Sequence, residues 1–293
     1  MLKERLETVL GAEITQSRAL PVGFGLEGLE ITLNDGRHLA VKASRSPGKA
    51  HPSNGLWAAP LEIEGYMLGE LRRLSDFPVP EVHHCDADLL VMDFIETDGG
   101  SITEAVERDA AETIAALHSV RGERFGYPKD TLIGPLPQRN AESDRWIPFF
   151  AEHRLMAMAR MAHEDGPLSA ADLARLERLA ERLDAFLVEP EHPSLLHGDL
   201  WTGNVLVKGN QIAGFVDPAI SFGHPEIELA FTTMFGTFGG AFFDAYEAIS
   251  PLEPGFHELR KDLYNLYPTL VHVRLFGRGY LGGVDSTLRR IGF

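Results

Sequence analysis

The block at residues 195–217 constrains this chain more than any other part of its sequence, because polar side chains there interrupt a series of apolar strands. It reads LLHGDLWTGNVLVKGNQIAGFVD, which predicts a short strand, a polar loop, and two strands joined by a turn at 208–210. Asp199 and Asn204 lie five residues apart on the loop, and Asp217 follows the hairpin. A simple surface turn is the alternative, but the flanking apolar strands argue against it.

These three side chains suit phosphoryl transfer, which depends on positioning and charge neutralisation rather than on covalent help from the protein. A carboxylate must orient or accept the proton of the attacking hydroxyl group, and hard oxygen ligands must hold Mg²⁺ against the phosphates. The loop has the Asp-to-Asn spacing of the catalytic loop of protein kinases. The sequence therefore predicts a kinase that uses ATP and Mg²⁺.

A glycine-rich string precedes this block by about 170 residues and could cover the phosphates of ATP. Gly23, Gly25 and Gly28 form a G-x-G-x-x-G pattern. A dinucleotide-binding fold would place such a pattern between a strand and a helix. Here two strands follow, joined at Asn34-Asp35-Gly36, so a glycine loop between strands fits better. A plain glycine turn is the alternative.

Lys42 lies on the second strand of that hairpin and could bind the α- and β-phosphates. The alternative is a solvent-exposed strand lysine. A helix is predicted at 61–74, and its Glu64 shares a face with Leu68, so it should point inward and pair with Lys42. Glu62 is the competing partner.

The chain changes character near residue 97, which predicts two domains. Residues 1–96 are strand-rich and should form a nucleotide-binding lobe, a small antiparallel sheet with one helix. Residues 97–293 should form a larger, mainly helical catalytic and substrate-binding lobe, so the fold class is α+β. A buried strand at 88–96 should connect the lobes, and the backbone of Asp93, Phe94 and Ile95 is a candidate contact for adenine. Helices are predicted at 103–119, 145–162, 169–187, 225–234, 240–249 and 257–276.

Composition narrows the partners and the compartment. The chain has 27 basic and 43 acidic residues, a formal charge of −16, so nucleic acid is not an expected partner. No apolar run approaches the roughly 20 residues of a membrane span, so no membrane association is expected. Cys85 is the single cysteine and no export signal is recognisable, which favours the cytoplasm. Nothing in the sequence indicates the oligomeric state.

Taken together, these residues resemble the fructosamine kinase (ketosamine-3-kinase) family, a branch of the aminoglycoside-phosphotransferase-like kinases. The loop HGDLWTGN at 197–204 is similar to the family's H-G-D-L-W-S-G-N, with Thr202 in place of Ser. The resemblance covers nearly the whole chain, and its other matching segments are LEIEGYML at 61–68, RFGYPKDTLIGPLPQRN at 124–140, RWIPFFAEHRL at 145–155 and VDPAISFGHPEIELA at 216–230.

The resemblance implies a bilobal, protein-kinase-like fold and phosphorylation of a sugar hydroxyl, typically O3, on a ketosamine such as fructosamine or ribulosamine. The unstable phosphate then decomposes and frees the amine, which amounts to deglycation. Asp199 would be the catalytic base, Asn204 and Asp217 would bind Mg²⁺, and Lys42 with Glu64 would hold the phosphates. Trp201 and His224 are candidate substrate contacts.

Two departures and two alternatives accompany this interpretation. The C-terminal helix reads Val271-His272-Val273-Arg274 where the family often has N-H-L-N, and the glycine loop is richer in glycine than the family suggests. One alternative is a kinase of the same fold for another hydroxyl compound, of the aminoglycoside, choline or homoserine type. The other is a pseudokinase that binds nucleotide, although such proteins usually lack the base, a metal ligand or the lysine.

Overall fold

The computed structural model describes residues 2–23, 25–47 and 61–293, which form two compact units. The first unit comprises Met1–Ser101, Leu132–Pro137 and Val205–Pro218, and the second comprises Ile102–Thr131, Gln138–Asn204 and Ala219–Phe293. The division into domains 1–96 and 97–293 stays a prediction. The compact units differ from it because residues 97–101, 132–137 and 205–218 belong to the first unit.

Most of the predicted elements are present. The strands are β1 (Ile14–Leu20), β2 (Leu26–Leu33), β3 (His38–Ser44), β4 (Val82–Asp86), β5 (Leu89–Asp93), β6 (Thr131–Ile133), β7 (Leu136–Gln138), β8 (Ser194–Leu196), β9 (Val205–Lys208), β10 (Gln211–Phe215) and β11 (Ser221–Gly223). The α-helices are α1 (Leu2–Leu10), α2 (Leu61–Leu74), α3 (Glu104–His118), α4 (Trp146–Phe149), α5 (Ala157–Glu164), α6 (Ala170–Ala180), α7 (Pro225–Met234), α8 (Gly240–Ile249), α9 (Lys261–Phe276) and α10 (Leu281–Arg290). Two π-helical segments, Phe150–Met156 and Phe256–Arg260, lead into α5 and α9.

The first unit is built on an antiparallel sheet with the strand order β1-β2-β3-β5-β4. The predicted turn at Asn34-Asp35-Gly36 joins β2 to β3, and Gly36 adopts a φ of 90° that glycine accommodates without steric cost. One face of the sheet is apolar, because residues at alternate positions of a strand point to the same side. Its core consists of Leu6, Ile31, Leu33, Leu39, Val41, Ala43, Leu89 and Val91.

In its described residues this unit contains two helices, where the sequence analysis expected one. Leu6 of α1 is fully buried in the core cluster of the sheet, and Arg5 donates to both carboxylate oxygens of Asp86 at 2.7 Å. A helix of nine residues has little stability alone, so packing of Leu6 and the ion pair of Arg5 stabilise it. Those contacts are tertiary, which is why the local pattern did not predict this helix.

The β9–β10 hairpin belongs to the first unit although it lies far along the chain. The backbone N–H of Phe215 donates to the carbonyl oxygen of Pro78 at 2.7 Å, and the rings of Phe77 and Phe215 stack with centroids 4.5 Å apart. The carboxylate of Asp98 accepts from the N–H of Gly209 at 2.7 Å. These contacts fix the hairpin that leads to Asp217.

The second unit is mainly helical. Helix α3 begins at the N-cap Thr103 and packs against α8, while α7 packs against α9. Strands β8 and β11 pair antiparallel and bring the segment before Asp199 beside the segment after Asp217. Among the described residues, no helix is both long enough and apolar enough to cross a membrane.

Candidate active site

Lys42, Glu64 and Asp217 form a hydrogen-bonded cluster in the first unit. The ammonium group of Lys42 on β3 donates to Glu64 Oε1 of α2 at 2.8 Å, and it also donates to Oδ1 of Asp217. The partner is therefore Glu64, as predicted from the helical face, whereas Glu62 is exposed. The lysine is buried, so the alternative of a solvent-exposed strand residue is wrong.

One cation in this cluster serves two carboxylates. Burial by itself would lower the pKa of Lys42, but the charges of Glu64 and Asp217 outweigh it and raise that pKa, so the ammonium stays charged. Burial raises the pKa of Glu64, and repulsion from Asp217 adds to this effect while Lys42 opposes it. The ionised cluster carries an excess negative charge, which a divalent cation would neutralise.

Asp217 has an unusual backbone conformation. Its φ is 56°, and it is the one non-glycine residue with positive φ in the described ranges 2–23, 25–47 and 61–293. Such a conformation is uncommon outside glycine, although Asp and Asn tolerate it best, and it concentrates at functional sites. Asp217 ends the segment that follows β10, so the strained position lies where the hairpin delivers its carboxylate to Lys42.

The three loop glycines occupy different places between β1 and β2. Gly25 has a φ of 75°, and the N–H of Leu26 donates to the carbonyl oxygen of Gly23 at 3.2 Å, so these two glycines form the turn. Gly28 lies within β2, opposite Leu20, where a β-carbon would come within 2.5 Å of the Leu20 carbonyl oxygen. The glycines therefore lie in the β1–β2 turn and near the start of β2, and not before a helix; their role toward phosphates stays a prediction.

The strand proposed to contact adenine is β5, and its backbone donors are partly engaged. The N–H of Asp93 donates to the Glu81 carbonyl oxygen at 2.9 Å, and the N–H of Phe94 donates to the His38 carbonyl oxygen at 3.1 Å. The ring of Phe94 also stacks on His38 with centroids 4.4 Å apart. The candidate adenine contacts therefore narrow to carbonyl groups of this segment and to the backbone of Ile95.

Asp199 and Asn204 are brought together in the second unit. The amide nitrogen of Asn204 donates to the backbone oxygen of Asp199 at 2.8 Å and to its Oδ2 at 3.1 Å. A 3₁₀ turn at Thr202–Asn204 closes the loop, with the N–H of Asn204 bonded to the Trp201 carbonyl oxygen at 2.9 Å. Because Nδ2 faces Asp199, a metal would be ligated through the amide oxygen of Asn204.

Glu228 of α7 anchors this loop, a role that the sequence analysis missed. Its carboxylate accepts from the backbone N–H groups of His197 at 3.3 Å and Gly198 at 2.5 Å, and His118 Nε2 bonds it at 2.8 Å. Burial tends to raise the pKa of Glu228, but these partners lower it, so the carboxylate stays ionised. The available signal was the pair of glutamates at 226 and 228 in an otherwise apolar helix, since buried charges need partners.

The segment just beyond Asp217 is held by the side-chain amide of Gln138. Gln138 Nε2 donates to the Ala219 carbonyl oxygen at 2.8 Å, and its Oε1 accepts from the hydroxyl group of Tyr267 at 2.9 Å. The N–H of Ala219 in turn donates to the carbonyl oxygen of His197 at 2.7 Å. Burial raises the pKa of Tyr267 to about 12, with a further contribution from the charge of Asp199, so the phenol remains a donor.

The two candidate substrate contacts differ in exposure. Trp201 is 42% exposed, so its ring does not belong to the core, and it lies over Gly203. His224 is buried, caps α7 by accepting the N–H of Glu226 on Nδ1 at 3.2 Å, and lies between the rings of Trp146 and Tyr264. Its contacts are those of a helix cap, so they give the substrate role of His224 no support.

Burial of His224 predicts a pH dependence of stability. Burial, and then the charges of Arg260 and His118, lower the pKa of His224 to about 3 in the folded protein. The unfolded chain takes up this proton near pH 6.5, so the free energy of unfolding should fall as pH drops below about 6.5, by up to about 1.4 kcal/mol per pH unit. Urea unfolding at pH 7, 6 and 5 should show a smaller loss in His224→Asn, which keeps a capping side chain but cannot titrate. Equal losses in both proteins would contradict the prediction.

Asp217 and Asn204 each carry an oxygen donor of the kind that Mg²⁺ accepts. Asp217 supplies a carboxylate and Asn204 an amide oxygen, and Mg²⁺ is usually held by one or two carboxylates together with substrate phosphates and water. No cluster of three or more His, Cys, Asp or Glu suited to a metal lies in the part of the chain that the structure describes. A metal bound mainly through a nucleotide does not need such a cluster.

Comparisons with known proteins identify the family of this chain. The family model described as fructosamine kinase matches residues 57–292. A protein of Enterococcus faecium assigned as a ketoamine kinase is 36% identical over 249 residues, 82% of this chain and 85% of its own length. The chloroplastic protein-ribulosamine 3-kinase of Arabidopsis thaliana is 32% identical over 259 residues, 85% of this chain and 74% of its own length.

Solved structures extend the likeness to the fold. A crystal structure from Thermobifida fusca, assigned as a fructosamine-3-kinase, has a TM-score of 0.86 and 31% identity, covering 98% of this chain and 97% of its own. Aminoglycoside phosphotransferase APH(4)-Ia, solved with ADP and hygromycin B, has a TM-score of 0.70 at 16% identity, covering 100% of this chain and 99% of its own. The α+β, protein-kinase-like fold is thus confirmed, and the chain belongs to the fructosamine kinase family.

Proposed function

We propose that this chain transfers the γ-phosphoryl group of ATP to a sugar hydroxyl, O3, of a ketosamine. The observation that carries the proposal is the Asp199–Asn204 pair on a loop whose backbone is held by Glu228. Membership of the fructosamine kinase family and the names of the ketoamine and ribulosamine kinases support the acceptor class.

Asp199 acts as the general base in this reaction. Its carboxylate accepts the proton of the sugar hydroxyl as that oxygen attacks the γ-phosphorus, and the bond to the departing ADP oxygen breaks. Asn204 holds the carboxylate in place through the bond from Nδ2 to Oδ2. Asn204 and Asp217 are the candidate ligands for Mg²⁺, which would supply positive charge at the phosphate oxygens.

Lys42 is the phosphate-binding cation of the first unit. Glu64 holds its ammonium group at 2.8 Å, so the lysine is placed and charged before nucleotide arrives. Gly23 and Gly25 have no side chains, so backbone N–H groups at these two positions could approach phosphate oxygens. Adenine would contact backbone groups around Ile95.

The acceptor is a small glycated amine or a glycated side chain, and the product phosphate decomposes to release the amine. A cytoplasmic location stays a prediction from the sequence.

ATP consumption should be measured with ketosamines of different sugar length, alongside aminoglycosides, choline and homoserine. Turnover with a ketosamine, and amine release afterwards, is the expected result. Turnover only with the other alcohols would contradict the acceptor class, and no turnover with any compound would favour the nucleotide-binding pseudokinase.

Removal of Asp217 should uncouple ATP affinity from Mg²⁺. We expect ATP to bind the unaltered protein at least about tenfold more tightly with Mg²⁺ than with EDTA, and Asp217→Ala to lose this difference, because a carboxylate ligand of the metal is gone. Isothermal titration calorimetry in both buffers measures the ratio. Asp76→Ala, an exposed carboxylate in the same unit, is the matched control. A ratio that survives in Asp217→Ala would remove the metal role of this residue.

A further inference from the structure

A chain of aromatic rings leaves the catalytic loop and runs across the second unit. Trp201 contacts Phe235 at a centroid distance of 6.3 Å, and Phe235 contacts His272 at 5.0 Å. The ring of His272 then meets Phe276 at 5.4 Å and Tyr280 at 5.1 Å. We call these five residues the aromatic ledge.

The ledge is unusually exposed. Phe235 is 39% exposed and Phe276 is 57% exposed, in addition to Trp201. In the described part of the chain, the large hydrophobic residues with comparable exposure outside the ledge are Val9 and Ile249. Scattered single apolar residues on a surface need no explanation, whereas several that touch one another mark a binding surface.

The ledge is also continuous with the proposed catalytic centre. Trp201 lies two residues beyond Asp199 on the same loop, and its N–H donates to the Asp199 carbonyl oxygen at 3.1 Å. Phe235 follows the last residue of α7, the helix whose Glu228 anchors that loop. One end of the ledge is therefore fixed relative to the base by covalent structure and hydrogen bonds within a single unit.

The chemistry of the ledge favours an apolar or cationic group. Burial lowers the pKa of His272 and favours the neutral ring, although the hydrogen bond that Nδ1–H donates to the Pro268 carbonyl oxygen at 2.7 Å opposes this shift. The faces of Trp and Phe attract ammonium groups and pack against hydrocarbon. A ketosamine offers both, because its amine nitrogen is protonated at neutral pH and carries a substituent.

We propose that the aromatic ledge binds the amine side of the ketosamine, so that the chain prefers ketosamines whose amine carries an aromatic or long aliphatic substituent. This rests on the proposed function, since it assigns the part of the acceptor that lies away from the reacting hydroxyl. The ammonium would lie near Trp201, and the substituent would extend along Phe235 toward Phe276.

The test uses three ketosamines that share one accepted sugar and differ only in the amine, which is methylamine, hexylamine or benzylamine. We expect kcat/KM to be about tenfold higher for the benzylamine compound than for the methylamine compound, the gain typical of burying one ring against others. In Phe235→Ala and Phe276→Ala this ratio should fall toward one, mainly through KM. Phe276→Leu should still turn over the hexylamine compound with a higher kcat/KM than the methylamine compound, because leucine retains the hydrocarbon contact.

The matched control is Ile249→Ala, an equally exposed apolar residue at the end of α8. It should keep the ratio of the unaltered protein, and thermal melting should show that every variant is folded. A ratio near one in the unaltered protein, or a ratio that both alanine variants retain, would overturn the proposal. The proposal would also be overturned if the unaltered protein self-associates and Phe276→Ala makes it monomeric without changing the kcat/KM ratio. Failure to turn over any ketosamine would instead reject the proposed function itself.

Discussion

Replacing Asp199 by asparagine should lower kcat by about 10²-fold or more while leaving MgATP affinity within about twofold. Asparagine fills the same space and can keep a hydrogen bond with Asn204, but it cannot accept the proton of the attacking hydroxyl. A positioned general base contributes roughly 10² to 10⁴ to the rate. The defect should therefore appear in the chemical step and not in nucleotide binding.

Single-turnover kinetics with the best ketosamine from the substrate screen, together with calorimetric titration of MgATP, separates these two effects. Asp244→Asn makes the same chemical change at an exposed position on α8 and should behave like the unaltered protein. Full activity in Asp199→Asn would rule out the proposed base. A loss confined to nucleotide affinity would assign the residue to metal binding instead.

Replacing Arg260 by methionine should cost about 3–5 kcal/mol of unfolding free energy and lower Tm on the order of 10 °C. Arg260 donates to both carboxylate oxygens of Glu226, at 2.7 and 2.6 Å, and to the carbonyl oxygens of Glu253 and Pro254. The side chains of the pair are 5% and 1% exposed. Loss of the arginine leaves a buried carboxylate without its counter-ion, which is the source of the cost.

Denaturant unfolding of two further variants tests that cause. Combining Arg260→Met with Glu226→Gln removes the uncompensated charge, so the double variant should recover a substantial part of the loss. The exposed pair of Arg108 and Glu104 provides the control, and Arg108→Met should change stability by no more than about 1 kcal/mol. If both arginine variants lost the same stability, burial would not be what gives the first pair its importance.

Local sequence patterns predicted the parts of the structure whose residues lie in helices, strands and the turns that join them. Helical spacing placed Glu64 on the inner face of α2, and its contact with Lys42 follows from that face. The turn residues at 208–210 predicted the β9–β10 hairpin because Gly and Asn tolerate its backbone. Helix α7 was predicted with the bounds that it has, since Pro225 is a favourable first residue.

What local patterns could not predict depends on partners distant in sequence. The loop contact of Glu228 spans 30 residues, and the contact between His118 and Glu228 spans 110. The π-helical segment Phe150–Met156, between α4 and α5, likewise has no local sequence signal. Its Arg154 is buried and donates to the Arg139 carbonyl oxygen at 2.6 Å and to Asn140 Oδ1 at 2.8 Å. Such tertiary partners, and not propensity, fix the helix there.

Glu228 binds backbone N–H groups of the loop and not its side chains. Side chains of the loop can therefore be varied in laboratory evolution without loss of this contact. Saturation libraries at Trp201 and Thr202 could be screened for activity on new acceptor alcohols while Asp199 keeps its position. Gly198 should be excluded from such libraries, since a β-carbon there would clash with the Ala219 carbonyl oxygen. Gly203 should be varied together with Trp201, because a β-carbon at Gly203 would meet the Trp201 ring.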